Sequence, residues 1–180
     1  MLPHVGDIDV MYHIDTLLAI PRGHPPPTQL PAEFHNYVKV HEIIDSDFPG
    51  YVYLEACYLL TRCSNGGDGK FNSIKYEDPV RRYYLSYAPR YGEDIHGPAI
   101  LNSSGSLSQL SVDIVPCVRC LSWPPQAVYW PARHRNYGWP DSATLGRVVS
   151  NGCDVVRVAH RQCRQHYLMG KLQWLSLIHI

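Results

Sequence analysis

The 180-residue chain has no apolar run near the ~20 residues that a membrane-crossing helix needs. Its opening, Met1-Leu2-Pro3-His4-Val5-Gly6-Asp7, lacks the basic and then apolar regions of a secretory signal. Charge is scarce as well: 18% of residues are charged, and 16 basic side chains balance 16 acidic ones. With 45% apolar residues beside so little charge, a solvated disordered chain is excluded. No internal repeat is present. What remains is a globular chain long enough for a real hydrophobic core, one domain or the greater part of a larger one. It is expected inside the cell, in cytoplasm or nucleus, and away from membranes.

The neutral total hides an asymmetry. Residues 1–118 carry 8 Lys/Arg against 14 Asp/Glu, whereas residues 119–180 carry 8 Lys/Arg against 2 Asp. Two halves of opposite sign neutralise each other when they face one another; apart, the acidic one attracts metal ions and the basic one phosphates.

Six cysteines, Cys57, Cys63, Cys117, Cys120, Cys153 and Cys163, stand in a chain with no secretory signal. Free thiols in a reducing compartment are therefore expected rather than a disulfide framework. Cys117-Val118-Arg119-Cys120 has the C-x-x-C spacing of zinc or redox sites, but neither a second C-x-x-C nor an H-x₃-H accompanies it. Buried structural thiols are the simpler reading, because free cysteine packs as a small apolar group. Cys153 and Cys163 are the alternative fourth and third ligands.

Along the chain, Asp7, Ile8, Asp9 and Val10 alternate polar and apolar, which predicts a strand over 5–12 with Ile8 and Val10 facing a core. Five prolines in residues 21–31 demand an extended connecting loop. The β-branched and aromatic runs 37–44 and 51–61 flank a turn at 45–50. A second turn is expected at Asn65-Gly66-Gly67-Asp68-Gly69, a short strand over 82–87, and a hairpin from 98–101 and 107–116. Beyond Leu121 the Trp-Pro pairs predict irregular structure. Asp141 or Ser142 then caps a short helix over 143–149, followed by a strand at 153–158 and a helix over 160–173.

The chemistry-bearing residues are acids. Asp7 and Asp9 are two apart on a strand and so leave the same face. Paired carboxylates repel unless a cation or protons lie between them, and their hard oxygens suit Mg²⁺ or Mn²⁺. Asp113, in Ser111-Val112-Asp113-Ile114-Val115, is again a lone acid framed by β-branched residues. Placed beside the first two it completes a site for two metal ions; otherwise it is an edge-strand charge that discourages aggregation.

These residues carry a family resemblance. Gly6-Asp7-Ile8-Asp9-Val10-Met11-Tyr12 resembles the h-[DE]-h-[DE]-h metal strand of the nucleotidyltransferase superfamily, in particular its Mab (male abnormal, twenty-one) branch, kin of cyclic GMP-AMP synthase. His96-Gly97-Pro98-Ala99-Ile100 resembles the Gly-x-Pro-Ala-Val that opens the family's later hairpin. Leu110-Ser111-Val112-Asp113-Ile114 resembles the return strand with the third acid, and Leu121-Ser122-Trp123-Pro124 the Ser-x-Trp-Pro turn. Their order and spacing together are the specific feature.

The resemblance implies an α+β fold, a mixed and mainly antiparallel sheet with flanking helices. It implies Asp7, Asp9 and Asp113 as catalytic metal ligands for Mg²⁺ or Mn²⁺, with Asp113 orienting or deprotonating an attacking hydroxyl. The substrate implied is a nucleoside triphosphate, ATP or GTP. The family's Gly-Ser or Gly-Gly phosphate turn precedes its acid pair by about ten residues, a helix-start cradle for phosphate; only six residues precede Asp7 here. The family also continues into a helical C-terminal half. A partial domain over 1–175 is therefore expected, with 176–180 a tail resembling adapter read-through, and little or no turnover from this chain alone. The alternative is a non-catalytic binding or signalling module on the same fold. A further, weaker expectation is nucleic-acid contact through Arg133, His134, Arg135, Arg157, Arg161 and Arg164.

Overall fold

A computed structural model describes residues 8–46, 51–64, 69–80, 94–96, 99–102, 112–157 and 173–177. Nine strands form one sheet: β1 (Ile8–Pro21), β2 (Tyr37–Asp45), β3 (Tyr51–Arg62), β4 (Phe71–Val80), β5 (Asp94–His96), β6 (Ala99–Asn102), β7 (Val112–Cys120), β8 (Cys153–Arg157) and β9 (Gln173–Leu177). One α-helix, α1 (Ser142–Asn151), lies among the described residues. β1 runs parallel to both β2 and β7, and every other pairing is antiparallel. The mixed, mainly antiparallel α+β class expected from the resemblance is what forms.

Parallel neighbours need a crossover of a dozen residues or more. Between β1 and β2 the proline-rich residues 22–36 supply it, so this segment is a connection, as expected. Leu30 and Phe34 anchor it by packing with Leu18, Val38, Val40, Leu60 and Phe71. Its backbone is tied by Phe71 N–H to Thr28 O at 2.8 Å, His35 N–H to Asp15 O at 3.1 Å and Arg62 N–H to Asn36 O at 2.9 Å. The Arg62 guanidinium adds a bond to Phe34 O at 2.9 Å while lying over the Phe71 ring.

β1 is longer than its alternation predicted, and the reason is burial on both sides. Leu17 and Ala19 belong to a cluster with Ile43, Val52, Leu54, Val118, Cys120, Cys153 and Val155, while Leu18 and Ile20 join the crossover cluster. A strand covered on both faces reads as a continuous apolar run rather than an alternating one. At its start the expectation fails differently. Val10 is 41% exposed, while Met11 packs against Ala99, Val115, Cys117 and Val156. The face of β1 that packs there is thus the one opposite to Val10.

β4 had no sequence signal, because Asn72, Lys75, Glu77, Asp78 and Pro79 interrupt any apolar period. It forms by pairing with β3, Phe71 opposite Arg62 through Lys75 opposite Tyr58. β6 and β7 pair antiparallel with Ile100 opposite Ile114, the expected hairpin partners. The expected helix over 160–173, apart from Gln173, and the expected strand over 82–87 lie outside the described residues. Gln173 opens β9, which inserts between β3 and β8 and satisfies their facing backbone groups. Ser176 and Leu177, set apart as tail in the sequence, pair there with Val155 and Asp154. The pairings β1–β2–β3–β9–β8–β7–β1 close a ring around the Leu17–Val118–Val155 cluster.

α1 has the expected cap: the Asp141 carboxylate accepts from Thr144 N–H at 2.7 Å. It ends at Gly152 with φ +82, where an added Cβ would run into the Cys120 carbonyl oxygen. Helix end and β7 end are therefore packed backbone to backbone.

Candidate functional site

β1 and β7 meet in parallel register: Ile8 opposite Val112, Asp9 opposite Asp113, Val10 opposite Ile114. Two acids 104 positions apart thus occupy matched places on adjacent strands, which lie about 4.8 Å apart in a ladder. Asp113 is half-buried, with Leu101 of β6 opposite it on its other side. Asp7 falls outside the described residues. The pairing places two of the three sequence-predicted acids together, through the sheet topology rather than through chain proximity.

Further along the same strand pair lies a cluster that the sequence did not suggest. His13 is the register partner of Cys117, four residues past Asp9 and Asp113, a displacement of roughly 13 Å at a strand's rise of about 3.3 Å per residue. Asp154 of β8 joins them, and one donor atom from each of the three lies within 4.8 Å of the others. His13 Nε2 is 3.2 Å from Asp154 Oδ1. Arg119 Nη1 reaches both carboxylate oxygens, at 3.4 and 3.3 Å, and its Nη2 donates to Asn151 O at 2.7 Å. Asp154 has no exposed surface, and the Arg119 guanidinium and the His13 ring nitrogen supply polar partners to the buried side chain.

The Cys117 thiol, fully buried, donates to Tyr12 O at 3.4 Å. Burial pushes its pKa up to about 12; the Asp154 charge adds to this and Arg119 opposes it. Next to the cluster a pocket of about 240 Å³ is lined by His13, Ile14, Asp15, Glu33, Phe34 and Arg119.

Cys117 and Cys120 do not act as a C-x-x-C pair. Three residues apart on a strand, they leave opposite faces. Cys117 packs with Ala99 and Val156, whereas Cys120 packs in the ring interior with Cys153. Cys120 and Cys153 are register partners, and the hydrogen bond between their thiols, then burial, raises the Cys120 pKa strongly. Among the described residues, Cys57, Cys63, Cys117, Cys120 and Cys153 carry no disulfide; Cys163 lies outside them.

Of the basic candidates, Arg133 and His134 are exposed. Arg135 is committed internally: it stacks on Trp130 and donates to the carbonyls of Trp130, Pro131 and Arg133. The side chain of Arg157, and all of Arg161 and Arg164, lie outside what the structure describes.

The mixed, mainly antiparallel sheet is consistent with a nucleotidyltransferase-like α+β fold. Residues 60–175 match the Mab-21 protein nucleotidyltransferase domain, and the chain belongs to that family. The match contains Asp113, Cys117, Arg119 and Asp154, while Asp7, Asp9 and His13 precede it. A comparison with curated proteins found no match. Among the described residues no helix is long and apolar enough to cross a membrane.

Proposed function

We infer that the chain is a metal-dependent nucleotidyltransferase-like domain that binds a nucleoside triphosphate, ATP or GTP, together with Mg²⁺ or Mn²⁺. The observation that carries this reading is the register of Asp9 on Asp113, within a fold whose family is nucleotidyl-transferring by name. Carboxylates at matched positions on neighbouring strands repel one another at neutral pH, and a hard divalent ion removes that repulsion. The donor chemistry therefore fits such an ion. Asp9 and Asp113 would hold it, with Asp7 as the third ligand that the sequence pattern supplies. The bound ion's chemistry is to offset triphosphate charge and to favour an attacking oxygen. Asp113 is the group assigned to orient or accept the proton of that oxygen. Free, buried thiols support a reducing compartment, cytoplasm or nucleus.

Calorimetric titration of Mn²⁺, with and without ATP or GTP, tests the reading. Binding should be tighter with nucleotide present and fall at least tenfold in Asp113→Asn and in Asp9→Asn. Equal binding by wild type and both variants would remove the metal role. Nucleotide and metal binding without turnover on any acceptor would instead mark a non-catalytic module on the same fold.

A further inference from the structure

We propose that His13, Cys117 and Asp154 form a second metal site, for a borderline-soft divalent transition ion of the zinc class, distinct from the acid position at Asp9 and Asp113. The first argument is donor chemistry. An imidazole nitrogen, a sulfur and a carboxylate oxygen converge within 4.8 Å of one another. Sulfur and imidazole donors suit zinc and its neighbours and are poor ligands for Mg²⁺, so the ion selected here differs from the one that an all-carboxylate site takes.

The second argument is geometry. A tetrahedral ion bonded at about 2.0–2.3 Å holds its donors on the order of 3.5 Å apart. His13 Nε2 and Asp154 Oδ1 are already at 3.2 Å, and the sulfur lies within 4.8 Å of both, so a bound ion draws it in by about 1 Å at most. The two buried donors are fixed by the sheet: Cys117 on β7 lies across from Val156, and Asp154 is diagonal to it on neighbouring β8. His13, whose side chain is 47% exposed, is the accessible donor, and it borders the 240 Å³ pocket, which opens the cluster to solvent.

A supporting group is in place. Arg119 grips Asp154 and is itself anchored on Asn151 O, which is how outer residues orient a ligating carboxylate. One thiolate and one carboxylate offset the dication, and the Arg119 guanidinium on Asp154 leaves the cluster with one net positive charge. The ion displaces the thiol proton to solvent as the sulfur–metal bond forms, and no electron is transferred. The same three residue types could suggest a cysteine nucleophile with a histidine base. Full burial of Cys117 and its bond to Tyr12 O argue against that, because a reactive thiol is accessible and easily ionised.

Cobalt(II) titration of the full chain tests the site, since a thiolate–cobalt bond gives a near-ultraviolet charge-transfer band that carboxylates do not. One Co²⁺ per chain should bind with this band and be displaced by Zn²⁺ and not by Mg²⁺. The band should disappear in Cys117→Ala and persist in Cys57→Ala and Cys63→Ala. Affinity should fall at least tenfold in His13→Ala, a half-exposed position whose truncation leaves the core intact. No band in the wild type, or one that survives Cys117→Ala, overturns the proposal. Should Cys117→Ala fail to fold, unchanged affinity in His13→Ala overturns it instead. Asp113→Asn should leave the band untouched, which separates this site's failure from failure of the nucleotide reading.

Discussion

Replacing His41 with leucine should flatten the acid side of the stability curve. His41 lies in β2 at 8% exposure, and its Nδ1 has no hydrogen-bond partner among the described residues. Removal from water lowers its pKa from 6.5 to about 4; the Lys39 charge helps, and backbone hydrogen bonds at Lys39 and Leu18 oppose. One pKa unit corresponds to about 1.36 kcal/mol, so this displacement is worth about 3 kcal/mol. Above pH 6.5 the ring is neutral in both folded and unfolded chains, and stability is at its full value. As pH falls below 6.5 the unfolded chain takes up the proton first, and stability drains until about pH 4, where the folded form is protonated too. Urea denaturation at pH 7.5, 6, 5 and 4 should show the wild type losing about 3 kcal/mol more than His41→Leu over that range. Parallel losses in the two proteins would refute the assignment of His41 as a neutral, water-excluded ring.

Two further variants probe the frame around the clusters. Gly152→Ala combines a left-handed φ with a collision against the Cys120 backbone, neither of which a flexible side chain relieves; a loss of more than about 2 kcal/mol in urea denaturation is expected. Arg119→Met strips the buried Asp154 of its guanidinium and should cost about 3 kcal/mol. Adding Asp154→Asn to that variant should recover part of the loss, since it removes a buried charge that has lost its guanidinium; no recovery would mean that Arg119 acts through packing alone.

Much of the fold was legible in local sequence. The runs at 37–44 and 51–61 became β2 and β3, β6 paired with the Asp113-bearing β7, and Asp141 capped its helix, because turn chemistry, capping and strand periodicity act over a few residues. β4 and β9 were not legible. Both are strands by virtue of the edges they cover on β3 and β8, and nothing in Asn72 to Asp78 or Gln173 to Leu177 states that those edges exist. The inner half of β1 was hidden for a related reason: with cover on both faces, 17–20 loses the alternation that marks a strand.

The candidate sites divide the same way. Asp9 and Asp113 were recognisable singly, each an acid framed by β-branched residues, and so was their suitability for a hard cation. Their matched register on a parallel pair, and the meeting of His13, Cys117 and Asp154, were decided by tertiary structure alone. A sequence carries the period that sets which residues share a face of one strand. Which strands become neighbours, and at what offset, is set by long-range hydrogen bonding and burial, and there a shift of one residue moves every side chain to the other face.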